Sequence, residues 1–376
     1  ERLTEKSFIA QQKSESRRAS VEGKAAGKSE KSPFLEKIKQ VGLLLEAFGN
    51  AKTVRNDNSS RFGKYLKIFW DRETGTMKGA RMRQYLLEKT RVVTLDEGHR
   101  NYHIFYWMLQ GATNEEKSNL QLLSPQEYFY LNQNDFELDR VTNKRDMSKR
   151  KHPKDCRKNY IVYKMDSNGK PVLDRNGNIQ KTVDGDDKIN MGLLRGQFEV
   201  VFGAKEAKSR MDQIFHICSG ILRLGNVDFD TQGKVDKKTE ADGIVAAKMF
   251  GLPEFAAGDT SLANRLSTDL LSSFGAGGKP SIIEAHCDQR RARGYRDALA
   301  KAIYGRLFIK IFEWCNEKLK ENSSKYDQVI GMLDIFGFEI FETNGFEQMC
   351  INYCNEKLQQ TFNDHFFQKE LREYEA

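Results

Sequence analysis

Apolar positions along this 376-residue chain follow two different rhythms. Over 34–48, Phe34, Ile38, Val41, Leu44, Leu45 and Phe48 recur at three- and four-residue spacing, which predicts a helix with one buried face. The same spacing returns in Ile214, Ile217, Cys218, Ile221 and Leu222, then in Ala298, Leu299, Ile303, Leu307, Phe308, Ile311 and Phe312, so the chain from Met191 onward reads as mainly helical. From Tyr65 to Trp70, Ile and aromatic residues alternate around Lys67, which favours a strand, and a second short strand is expected from Tyr85 to Leu87. The nearly continuous apolar run from Val329 to Ile335 predicts a central strand buried on both faces. Its one carboxylate, Asp334, would emerge at the strand end, where ligands commonly bind in α/β sheets. Asn344 with Glu347 then resembles a capping box opening a long helix, whose stripe of Phe346, Met349, Cys350, Tyr353, Leu358, Phe362 and Phe366 is expected to be a packing face.

Two polar stretches interrupt this pattern. Residues 13–32 are rich in Lys, Arg, Ser, Gly and Glu and predict a mobile surface loop. Residues 139–182 begin basic and continue through Asn168-Gly169 and Asn176-Gly177, pairs suited to type I′ hairpin turns, so a surface insertion is expected there. Asp174-Arg175-Asn176-Gly177-Asn178-Ile179 lacks the ligand spacing and terminal Glu of a calcium loop.

Composition narrows the class. The 39% hydrophobic content at this length supports a substantial core, and no run of about 18 apolar residues marks a transmembrane segment. The start, Glu1-Arg2-Leu3-Thr4-Glu5-Lys6, has neither an initiator Met nor a signal-peptide pattern, and the chain reads as an intracellular, truncated segment. The six cysteines form no CxxC pair, which argues against a structural zinc site or a disulfide framework. A net charge of +8 is spread among interspersed charges of both signs without an aromatic-basic pattern, so nucleic acid is not expected as a partner, whereas an acidic filament remains compatible.

The candidate chemistry lies in two distant segments. Asn56-Asp57-Asn58-Ser59-Ser60-Arg61-Phe62-Gly63-Lys64 offers hydroxyls, amides and a guanidinium; Asp334-Ile335-Phe336-Gly337-Phe338-Glu339 offers two carboxylates around a glycine. Together they are equipped to grip Mg²⁺ and a terminal phosphate and to position a water against it.

In these segments the chain resembles a myosin motor domain. The resemblance extends through Leu45-Glu46-Ala47-Phe48-Gly49-Asn50-Ala51-Lys52-Thr53, Arg100-Asn101-Tyr102-His103-Ile104-Phe105-Tyr106, Tyr128-Phe129-Tyr130-Leu131-Asn132-Gln133, Leu222-Arg223-Leu224-Gly225-Asn226-Val227, Asp297-Ala298-Leu299-Ala300-Lys301 and the segment from Ile351 to Gln360. These keep the family order and cover most of the chain outside 139–182. Kinesins also use a Ser-Ser-Arg switch, but the continuations Phe62-Gly63-Lys64 and Phe336-Gly337-Phe338-Glu339 favour myosin.

The resemblance implies an α/β fold: an incomplete myosin head of the P-loop NTPase type, with central mixed-sheet strands and a large helical actin-binding subdomain. It divides the chain into a loop near the nucleotide site (13–32), the first-switch region (34–138), the insertion (139–182), the helical upper actin-binding subdomain (183–325), and the second-switch strand with the relay helix (326–376). It also implies that Ser60 supplies a hydroxyl to Mg²⁺, that Ser59 and Asn56 contact the phosphates, and that Asp334 acts in the outer coordination of the metal. The Gly337 N–H would approach the γ-phosphate of ATP, and Arg61 and Glu339 would form a salt bridge that closes the site. The only stretch resembling a phosphate loop, Gly23-Lys24-Ala25-Ala26-Gly27-Lys28-Ser29, has three residues between its glycines where four are required. The true loop is therefore expected upstream of Glu1, and this chain alone is expected to be inactive.

The intact protein is expected to be an actin-activated ATPase of the cytoplasm and cytoskeleton, with actin filaments as partner and light chains or calmodulin bound only through a lever region. The competing expectation is a non-catalytic actin-binding scaffold derived from a myosin head. Two regulatory serines complete the reading. Ser20 follows Arg17-Arg18-Ala19 as in a basophilic kinase site. Ser281 lies sixteen residues before Asp297, where myosins carry an acidic or phosphorylatable residue in an actin-contacting loop. His103, within an aromatic-rich segment, is read as a packed core histidine.

Overall fold

A computed structural model describes residues 33–53, 55–73, 75–95, 99–132, 136–138, 145–150, 187–274, 280–320, 328–340 and 344–375. Its core is helical. The helix predicted over 34–48 is α1 (Pro33–Gly49), with Val41, Leu44, Leu45 and Phe48 buried and Pro33 opening it. It packs with α2 (His103–Gly111), α4 (Asp187–Phe202) and α8 (Gln289–Leu319), and α5 (Ala204–Asn226) lies against α4 and α8; α3 (Asn114–Asn119) lies between α2 and α4 in the chain. The two later apolar stripes form α5 and α8. α6 (Glu240–Met249) packs on α5, and α7 (Leu262–Leu266) on α6. Asp288 caps α8 by accepting from the Arg291 N–H at 2.8 Å. Phe62, Phe308 and Phe312 pack edge to face, 5.0–5.9 Å between ring centres, and fasten the first candidate segment to α8.

Short strands β1 (Asn50–Ala51) and β2 (Ser59–Ser60) pair antiparallel. The strand expected around 65–70 is β3 (Gly63–Asp71), the middle of a three-stranded sheet in the order β4-β3-β9, with β4 Thr76–Tyr85 and β9 Gln328–Asp334. Both pairings are antiparallel, so this sheet, as described, is not mixed.

Four further expectations are corrected here. The strand expected from Tyr85 to Leu87 instead ends at Tyr85, and Leu86 takes a positive φ of 53° that turns the chain away. β4 escapes an apolar reading because Ala80 and Met82 are buried while Arg81 and Arg83 point outward. α8 lies along it: the Asn316 side chain donates to Met82 O at 2.8 Å and accepts from Met82 N at 2.7 Å.

Among the described residues β9 is not buried on both faces: it pairs with β3 alone, and Val329, Ile330 and Leu333 are about half exposed. The long helix is present as α9 (Phe346–Glu375), yet of its apolar residues only Ile351 is buried; Phe346, Met349, Tyr353, Phe362 and Phe366 are exposed. Its start also differs. The Gln348 side chain accepts from the Gly345 N–H at 2.9 Å, so the reciprocal contact sits one residue beyond the expected Asn344 and Glu347.

β5 (Phe136–Leu138) and β6 (Arg145–Arg150) pair antiparallel, as do β7 (Thr268–Phe274) and β8 (Pro280–His286). Residues 13–32, both Asn-Gly pairs and the 174–179 loop lie outside the described residues.

Candidate nucleotide site

The β3–β9 register brings the two candidate segments together. Lys64 at the start of β3 pairs with Asp334 at the end of β9, so residues 59–62 enter the sheet where residues 335–339 leave it. A sequence separation of 278 residues thereby closes into hydrogen-bonding contact.

Arg61 lies at the centre, fully buried. Its guanidinium engages Glu339 with two nitrogens, Nη1 to Oε1 and Nη2 to Oε2, the latter at 3.2 Å. Nη1 also donates to Ser59 Oγ at 3.2 Å, and Nε donates to Glu88 Oε2 at 2.5 Å. Glu88 in turn accepts from Arg91 Nε at 2.8 Å, and Arg91 Nη1 donates to Arg100 O at 3.1 Å. Two guanidiniums and two carboxylates thus share one buried cluster. Burial alone would lower the Arg61 pKa; the Glu339 hydrogen bond and the Glu88 charge more than offset it and raise it above the ordinary arginine value. Burial pushes the Glu88 carboxyl up, but the charges of Arg91 and Arg61 dominate and hold it below the usual range.

The loop carrying Asn56–Ser60 is pinned by its own polar side chains. Asn56 O accepts from Thr53 N at 2.9 Å, and Asn56 Oδ1 accepts from Asn58 N at 2.9 Å. Asn58 Oδ1 accepts from Asn50 Nδ2 at 3.1 Å and lies 3.0 Å from His103 Nε2, while Asn58 Nδ2 donates to Glu46 Oε2 at 3.0 Å. An acceptor facing Nε2 places the proton on that nitrogen. His103 is buried and stacked on Trp107, ring centres 5.3 Å apart. It is a packed histidine, and it also buttresses this loop.

Burial, with the Arg100 charge second, pushes the His103 pKa down to about 3. Between that value and the unfolded value of about 6.5, the unfolded chain binds the extra proton, so acid destabilises the fold through this group by about 1.4 kcal/mol per pH unit. His103→Gln in the intact protein is expected to flatten the loss of unfolding free energy measured by denaturant titration from pH 6.5 to pH 5. Equal slopes in the two proteins would refute this.

The remaining candidates divide. Ser59 and Ser60 form β2, both half-buried. Asp334 is exposed and ion-paired to Lys64 Nζ at 3.0 Å. Gly337 lies in open space, with nothing within 4 Å of where a Cβ would stand. Glu339 is anchored through its backbone, its N–H donating to Asn352 Oδ1 and its C=O accepting from Asn352 Nδ2, each at 2.8 Å. Ser281 sits in β8 opposite Ser273, far along the chain from this cluster, and Ser20 is outside the described residues. Glu88, Arg91 and Asn352 were not legible as site residues, and Asn58, inside the first candidate segment, was given no role of its own. The one local signal, Glu and Arg three residues apart in Glu88-Lys89-Thr90-Arg91, is common in helical turns.

The donor set suits a magnesium ion that arrives with a nucleotide. Mg²⁺ keeps several waters and takes few protein oxygens. Here the candidates are serine hydroxyls and one exposed carboxylate, and no group of three or more His, Cys, Asp or Glu side chains that could hold a metal occurs among the described residues.

The chain belongs to the myosin head (motor domain) family, whose profile matches residues 7–376. It is 36% identical over 349 residues to unconventional myosin-VI of Sus scrofa, an alignment covering 90% of this chain and 25% of that protein. Unconventional myosin heavy chain 6 of Caenorhabditis elegans is 36% identical over 346 residues, 90% of this chain and 14% of that protein. Myosin heavy chain IB of Acanthamoeba castellanii is 38% identical over 360 residues, 95% of this chain and 25% of that protein. The chain thus spans about a quarter or less of the length of these relatives. No helix among the described residues is long and apolar enough to cross a membrane.

Proposed function

We propose that this chain carries both nucleotide switches of an actin-based motor that couples Mg-ATP hydrolysis to movement along actin filaments. The observation that supports it most is the buried Arg61–Glu339 pair joining the start of β3 to the segment after β9. A non-catalytic scaffold gains little from a buried ion pair, whose desolvation cost is large. A catalytic site gains a closure that excludes water and fixes groups around a phosphate.

In this reading Ser60 offers its hydroxyl to Mg²⁺, and Ser59 and Asn56 face the phosphates. The bound ion neutralises charge on the phosphate oxygens. Asp334, tethered by Lys64, orients water in the metal's outer sphere. The Gly337 N–H reaches the γ-phosphate because no side chain intervenes, and Glu339, held by Asn352 and drawn to Arg61, helps order the attacking water. The P-loop NTPase type of fold and the actin-binding role of the helical subdomain belong to the same reading, as do a cytoskeletal location and charge-dependent actin contact at Ser281.

The test is phosphate release by the intact protein with and without actin filaments. Turnover that requires Mg²⁺ and rises with actin is expected. Actin binding with no nucleotide turnover would transfer the protein to the scaffold class.

A further inference from the structure

Arg61 has two carboxylate partners, and they are mounted differently. Glu88 belongs to the fixed body. Its N–H donates to Arg61 O at 3.0 Å, its C=O accepts from Tyr102 OH at 2.7 Å, and its carboxylate is gripped by Arg91, itself tied to Arg100 O. Tyr102 stacks on Tyr304 of α8, 4.9 Å between ring centres, inside the core. Glu339 instead lies on a segment whose neighbours Phe338 and Ile340 are exposed; apart from Arg61, it is held among the described residues from α9 alone, its backbone by the Asn352 side chain and its Oε2 by Gln348 Nε2 at 3.4 Å.

A buried guanidinium deprived of its only carboxylate is strongly disfavoured. With Glu339 alone as partner, Arg61 would therefore hold the two segments shut. Glu88 removes that obstacle, because Arg61 stays paired through Nε when the Nη contacts to Glu339 break. We infer that Glu88 is a positioning residue that keeps Arg61 charged, aimed and paired throughout, so that the Arg61–Glu339 contact can open as well as close. Arg91 sets the strength of this hold, since it competes with Arg61 for the same Glu88 oxygen.

This rests on the proposed reading, in which the Arg61–Glu339 pair closes the site for hydrolysis; phosphate can then leave only after that contact opens. In the intact motor, single-turnover hydrolysis and phosphate release are measured separately for Glu88→Gln, Arg91→Gln and Glu339→Gln. Glu88→Gln leaves Glu339 as the sole carboxylate on Arg61, so hydrolysis is expected to persist while phosphate release slows by about tenfold or more, equivalent to about 1.4 kcal/mol. Glu88→Asp should restore release. Arg91→Gln gives Arg61 a stronger claim on Glu88, and release is expected to quicken by several-fold, the opposite sign.

A merely structural role would depress hydrolysis and release together in both variants, and that result, or normal release in Glu88→Gln, would overturn the inference. Should Glu88→Gln not fold, Arg91→Gln decides alone: release that is unchanged or slower overturns it. Glu339→Gln separates the two levels, because unimpaired hydrolysis there would remove the underlying reading, whatever Glu88 does.

Discussion

Glu339→Ala in the intact motor is expected to bind ATP at close to the normal rate and then fail to hydrolyse it, with the chemical step slowed by about 10²–10³-fold. Alanine keeps the backbone pair of Glu339 with Asn352. Its carboxylate pairs with Arg61 and accepts a longer bond from Gln348 Nε2 at 3.4 Å, and Arg61 retains Glu88 when that carboxylate is lost. The defect should therefore fall on closure rather than on stability. Stopped-flow nucleotide binding beside quenched-flow single turnovers separates the two steps. A phosphate burst of normal size and rate would remove Glu339 from the mechanism.

Gly337→Ala is expected to be silent until nucleotide arrives. A Cβ at Gly337 meets nothing within 4 Å, so the thermal midpoint without ligand should match the parent protein. If the Gly337 N–H approaches the γ-phosphate, the added methyl crowds the ligand beside the donor and keeps it from closing, and hydrolysis should fall by about 10²–10³-fold, the cost of one preorganised donor to a developing oxyanion. A lower midpoint without nucleotide would reveal a structural role, and normal hydrolysis would show that the backbone does not come that close.

Legibility from sequence tracked how far each feature depends on local pattern. α1, α5 and α8 carry enough apolar repeats to declare themselves, and β3 does so through aromatic and β-branched residues. β4 does not, because its outward Arg81 and Arg83 break the apolar run and only its pairing with β3 and its clamp to Asn316 make it a strand. The β9 run was legible as a strand but its depth was not, since exposure depends on what covers it. The α9 stripe failed in the same way. Within the site, Arg61 and Glu339 stood out because two distant segments had complementary chemistry. Glu88 did not, because its role is created by the turn at Leu86, which no local periodicity encodes. His103 was read as a packed residue, and its second task came from Asn58, a partner supplied by the tertiary fold.

The antiparallel register of β3 on β9 also makes the sheet a measuring device. Each residue along a strand advances about 3.3 Å, whereas a hydrogen bond weakens sharply once donor and acceptor part by about 0.5 Å beyond its usual 2.7–3.2 Å. Arg61 hangs from the start of one strand and Glu339 from the end of the other, with Lys64 and Asp334 marking the shared origin. A sliding of one strand past the other by a small fraction of a residue would therefore be registered at the ion pair as contact or no contact. Under the proposed function, a shear of β9 against β3 would reach the reacting centre through this ion pair, which ties together the segments flanking the two strand ends.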